Sequence, residues 1–300
     1  MFGLFKKTGA AEPDDAVDRI LRARQQRIDI SRQVIPENIA QRMFELAVRN
    51  CAIAANGLLT RAALFQRVRG DTAQARAQLL SGNDFLDHAV NAIDKASLAG
   101  LCVATTVLGP TDIERAKTID QKAGAECFVY VANIRDLLCL ALLGGEWSKA
   151  DRLALSASKP VVIDGTSPGE PCFARLLVAL VLRDEHAFLE NRQHLDAAWR
   201  DPAAGDIHFL NTYYRYDRLM DAILKRDESA IDALLKECER LFVARGTDKR
   251  LEKGGVLDGI GADDNSRVFD VWATALANFA RHCGLQVTHS SSIIPVADFK

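Results

Sequence analysis

Three times along its second half the chain repeats one pattern: an apolar helix end, a polar turn, an acidic residue at the next helix start, then Ala or Leu. The turns are Leu142–Ala150, Leu180–Leu189 and Ile223–Ile231. Glu146, Glu185 and Glu228 stand at matching places, about 40 residues apart, the length of a helix–turn–helix unit in a helical solenoid. Each such hairpin has an apolar face that it cannot cover alone, so neighbours must stack. The acid offsets the unpaired N–H groups at the start of the second helix. The repeat is degenerate and points to an architecture rather than to a named repeat. The expected fold is all-α, a solenoid-like body of stacked αα-hairpins.

The rest of the chain agrees with that class. Ala and Leu are abundant, and only 8 residues are Pro, the strongest helix breaker. Residues 1–13 read as a flexible tail. Asp14 and Asp15 open a helix that runs to about Ser31, with acids in the first turn where the helix dipole favours them. Pro36–Glu37 starts the next helix, because Pro suits a first helical position. Its apolar series begins at Ile39 and Met43, passes through Leu58 and Leu64, and ends near Gly70. Asp71 caps a further helical stretch with a break near Ser81–Asn83. Val103–Leu108 is the best strand candidate, although its neighbours favour a helix end. The expected organisation is an N-terminal helical region (14–122) and a hairpin region (123–300), continuous as one domain. Two loops interrupt the hairpins, Lys159–Pro171 and Gly246–Asn265. Long loops on rigid frames often carry function.

Charge and motif spacing narrow the chemistry. Lys and Arg number 38 against 40 acids, for a net charge of -2. A nucleic-acid binder draws most of its affinity from neutralising phosphates and usually shows a basic excess. No nucleic-acid partner is expected on that ground. No run approaches the ~18 apolar residues that a bilayer requires, so no membrane partner is expected. The Met1–Lys7 start lacks the apolar stretch of a secretory signal, which makes the cytoplasm the expected location. The 7 cysteines form no C-x-x-C pair and read as buried thiols. The histidines form no H-E-x-x-H, and no G-x-S-x-G elbow is present. No metal, cofactor or catalytic residue is expected, and the chain reads as a binding protein rather than an enzyme.

Two segments are candidate contacts. The Gly-rich loop from Lys253 to Asp264 fails as a phosphate cradle and as a calcium loop, for want of Gly-Lys-Ser/Thr and of alternating acids. It stands as a connector before a helix capped at Asp264 or Asn265. Alternatively it is an acidic contact for a basic partner, through Asp258, Asp263 and Asp264. In His208–Asp217, helical spacing puts Phe209, Tyr213, Tyr216 and Met220 on a core face. Tyr214, Arg215 and Asp217 fall elsewhere, as a solvated flank or as an interface.

The C-terminal stretch Asn265-Ser-Arg267-Val-Phe-Asp270-Val-Trp272 continues through Arg281-His-Cys-Gly284-Leu-Gln-Val to Ile294-Pro295. It resembles the last helix of a group of bacterial immunity proteins, immunity protein family forty-nine. The shared features are a late helix ending in Arg-x-x-Gly-Leu-x-Val and an Ile-Pro near the terminus. The hairpin Leu-Gly-Gly-Glu-Trp-Ser-Lys-Ala-Asp from Leu143 is of the same style. These proteins are all-helical antidotes to polymorphic toxins. The resemblance implies a cognate protein toxin as partner, neutralised by blocking its active site or substrate groove. Many such toxins are nucleases with basic grooves, so acids of the antidote would stand in for phosphate. It adds Arg267, Asp270 and Arg281 as contact candidates. The competing readings are a helical-repeat scaffold or regulator for a host protein, and an enzyme with an unrecognised site.

Overall fold

A computed structural model describes residues 13–98, 102–104, 128–158, 169–200, 207–244 and 269–296. In chain order the helices are α1 (Pro13–Ala40), α2 (Phe44–Leu64), α3 (Thr72–Leu80), α4 (Asn83–Leu98), α5 (Val131–Gly144) and α6 (Trp147–Ala157). They continue with α7 (Gly169–Leu182), α8 (Glu185–Arg200), α9 (Ile207–Leu224), α10 (Glu228–Ala244) and α11 (Val271–His282). The described part is thus helical and packed together. The exception is a short parallel pair, β1 (Cys102–Ala104) with β2 (Phe128–Tyr130), in which Val103 faces Val129. Val103 therefore belongs to a strand, as its β-branched neighbourhood favours, and not to a helix end.

The first helix corrects the expectation of a start at Pro36. That proline lies inside α1, a continuous helix of 28 residues. Pro removes one backbone donor and disfavours a helix interior. Here Val17, Leu21, Ile28, Ile35 and Ile39 form one buried stripe on both sides of it, and packing against α2 holds the helix through. The chain turns instead at Arg42, whose φ is 63°. Gly169 and Pro171 also move from the expected loop into the first turn of α7, where a missing N–H is tolerated.

One turn geometry recurs five times. The residue after the helix takes a left-handed conformation at Arg42, Gly145, Arg183, Arg226 and Gly284. In each case the next N–H reaches back to a carbonyl five residues earlier. The donors and acceptors are Met43 to Asn38, Glu146 to Ala141, Asp184 to Ala179, Asp227 to Ala222 and Leu285 to Ala280, at 2.8–3.0 Å. This closure satisfies carbonyls that a helix end leaves free. Asp184 and Asp227 then accept from Ala187 N and Ala230 N at 3.0 Å, capping α8 and α10. The capping residue is thus one position before the Glu185 and Glu228 read from the repeat.

The core is one buried cluster from Val17 to Val296. Contacts do not run only between neighbouring hairpins: α5 packs on α2, α6, α7 and α11. In α11 every residue from Val271 to Ala280 is buried. A helix apolar on all sides must be surrounded by others, and α11 packs on α5, α9 and α10. Its Trp272 meets Phe173 of α7 edge to face at 5.5 Å. After Gly284 the chain runs along α10. Glu228 accepts from Gln286 N at 2.9 Å, and Asp232 accepts from both the amide and the hydroxyl of Thr288 and from His289 N. Glu239 Oε2 lies 2.8 Å from His289 Nε2. Ile293, Ile294 and Val296 close over the core.

Candidate functional site

Helices α3, α5 and α11 end at one hollow of about 580 Å³. Leu79 and Leu80 come from the last turn of α3, Gly144 and Gly145 from the end of α5, and Arg281 and His282 from the end of α11. Arg76 and Trp147 complete the rim. Gly145 at φ 72° lets the chain reverse there without a side chain beside the Trp147 indole. The exposed His282 ring lies flat on Trp147, with centroids 4.1 Å apart and planes 10° apart. Leu80 is 50% exposed on the lip.

Beside the hollow, two hairpin turns aim arginines at the end of α11. Arg183 Nη2 lies 3.8 Å from Cys283 Sγ, and Arg226 Nη1 donates to Cys283 O at 3.3 Å. Arg281 Nη1 donates to Val296 O at 3.1 Å. All three acceptors are neutral. Among the described residues none of these three guanidiniums faces a carboxylate within ion-pair distance. Cations suit a helix C-terminus, whose carbonyls carry roughly half a negative charge.

The residues singled out from the sequence are placed differently. Asp270 is wholly buried at 0% exposure. It caps α11 by accepting from Ala273 N at 3.0 Å, and it accepts from the Tyr216 hydroxyl at 2.8 Å. Asp217 is 1% exposed and pairs with Arg192 Nε at 2.9 Å. Neither carboxylate meets solvent, so both serve the interior rather than a contact face. Arg192 also holds Asp221 at 3.0 Å. Burial pushes Asp217 up to about 6 in pKa, and Arg192 only partly opposes it. The expected core face of α9 is seen at Tyr216 and Met220, both buried. Tyr214 and Arg215 lie on α9, but their side chains fall outside the described residues. Asp258, Asp263, Asp264 and Arg267 lie outside them as well. The helix cap expected at Asp264 or Asn265 is at Asp270 for α11. Among the candidates whose side chains are described, Arg281 lines the hollow and Asp217 and Asp270 do not.

Burial pushes the Cys51 and Cys139 thiols up, away from thiolate. Among the described residues no three His, Cys, Asp or Glu side chains gather as metal ligands. Among the described residues no helix is long and apolar enough to cross a membrane. What the hollow offers is an apolar floor, an aromatic wall and cationic edges on fixed helix ends. The sequence reading included Trp147, Arg183 and Arg226 only as turn residues. A basic residue at the left-handed position, where Gly is favoured, was the available signal. No family model, curated protein or solved structure matches the chain.

Proposed function

We propose that this chain is an immunity protein, an all-helical antidote that binds a cognate protein toxin in the cytoplasm and covers its active site or substrate groove. The observation that carries the reading is the make-up of its accessible concave surface. Trp147, His282, Arg76 and Arg281 line it on packed helix ends, and Arg183 and Arg226 reach Cys283 at the end of the same helix α11. Aromatic residues and Arg dominate the energetics of protein interfaces. A site built on rigid ends loses little freedom on binding. The C-terminal resemblance supplies the class of partner. Under this reading the acids Asp258, Asp263 and Asp264, with Arg267, form a second contact toward a basic groove of a nuclease toxin.

Co-expression with a toxin encoded beside its gene tests the reading directly. Cells are expected to survive with both proteins and to die with the toxin alone. Death despite full-length, folded antidote would rule the reading out. Asp263→Lys with Asp264→Lys is expected to weaken toxin affinity by at least about tenfold. Unchanged affinity would remove the acidic segment from the interface. The recurring hairpin turn also favours a second reading, a solenoid-like helical scaffold for a host protein. That reading expects no rescue from any toxin.

A further inference from the structure

We infer that the hollow at the ends of α3, α5 and α11 anchors an acidic segment of a protein partner, one with an aliphatic or aromatic side chain beside its carboxylates. The identity of that partner as a toxin rests on the proposed function; the chemistry of the site does not. Arg183 and Arg226 project from two different hairpin turns onto Cys283, and Arg281 sits two residues before it. Two guanidiniums thus reach one helix end and a third, that of Arg281, lines the hollow beside it; among the described residues their acceptors are a thiol and two carbonyls. A carboxylate offers such a group paired, charge-assisted hydrogen bonds, which are stronger than those to neutral acceptors.

Among the described residues, the acids of the same turns make no ion pair with Arg183 or Arg226. Asp184 and Asp227 face the starts of α8 and α10, and Glu228 accepts from Gln286 N. Each offsets a positive helix end or an unpaired amide instead. The hollow next to the arginines supplies the apolar half of the site. Leu80 stands half exposed on its lip and the Trp147 indole is half-buried across from it, over the buried Leu79 and Leu143. An occupant with carboxylates alone would leave that surface wet.

A nucleic acid fits less well. The whole chain carries a net charge of -2, and phosphate binding rests on basic excess. Base stacking needs open aromatic faces, whereas one face of Trp147 is already taken by His282. An acidic protein segment uses both halves of the site.

Selection of random short peptides displayed on phage, with the full chain as bait, tests the inference without any toxin. Enrichment of Asp and Glu flanked by Leu, Phe or Trp is the expected result. A peptide so selected should shift the Trp147 indole N–H resonance. Its affinity should fall by at least about tenfold in Arg183→Gln with Arg226→Gln, and also in Leu80→Asp, with circular dichroism showing each variant folded at the assay temperature. Enrichment of basic peptides, no enrichment, or acidic peptides that bind both variants as tightly as the native chain would overturn it. So would displacement of the peptide by inorganic phosphate or by a single-stranded oligonucleotide at equal concentration. Because selection and toxin rescue are separate, either can fail while the other stands.

Discussion

A carboxylate taken out of water holds its proton more tightly, and Asp217 shows how far a fold can oppose that. Burial raises its pKa from 3.8 to about 6, even with Arg192 at 2.9 Å. Its Oδ1 has no hydrogen-bond partner among the described groups. Below pH 3.8 both folded and unfolded chains carry the proton. Between 3.8 and about 6 the unfolded chain releases it first, so folding takes up a proton and stability falls as pH rises. Above that window the full cost applies, on the order of 3 kcal/mol. Asp217→Asn is expected to flatten the stability profile across this window. At neutral pH it should leave stability equal to the native protein's or higher. Arg192→Met should do the reverse, costing about 3 kcal/mol at neutral pH by leaving a buried charge without its partner. Urea denaturation of both variants on either side of the window measures each effect.

At the scale of elements, the left-handed turn residue is what joins the helices. Arg42, Arg183 and Arg226 hold φ between 56° and 63°, a conformation that suits Gly and strains other residues. Arg183 and Arg226 bind the end of α11 from that position, whereas Arg42 turns α1 into α2. Arg42→Gly is therefore expected to stabilise the protein by roughly 0.5–1 kcal/mol, and Gly284→Ala, at φ 78°, to destabilise it by about 1 kcal/mol. Thermal melts decide both. The same turns show what the sequence makes legible. Those at Gly145, Arg183 and Arg226 are followed by acids and stand out as a repeat. The turn at Arg42–Met43 has neither Gly nor acid, and Pro36 a few residues earlier is a false signal. Helical spacing places Tyr216 and Met220 in the core, but it also puts Asp217 on a flank. Periodicity reports one face of a helix, and α8 covers a second face with Arg192. The arginines at the α11 end are readable singly; their convergence depends on which turns share an end of the molecule, which local pattern does not encode.

For the molecule as a whole, the segment after Gly284 is a clasp held by buried Leu285, Ile293, Ile294 and Val296 and by hydrogen bonds to the acids of α10. Burial pushes the Asp232 carboxyl up, but the hydroxyl of Thr288 and the amides of His289 and Thr288 outweigh it and leave the pKa below the usual 3.8. A depressed carboxyl adds stability that is present above its unfolded pKa and lost as pH falls through the folded value. Asp232→Asn is expected to cost about 1–2 kcal/mol near neutrality and almost nothing in strong acid. In hydrogen exchange, amides 286–289 should open faster while α11 stays protected. That contrast would show the clasp moving independently of the helix it follows. The burial of α11 on every side has a further consequence during synthesis. A ribosome releases the hairpins first and the helix they enclose much later. Until it arrives, the faces of α5, α9 and α10 that pack on α11 stay uncovered, and the nascent chain carries exposed apolar surface.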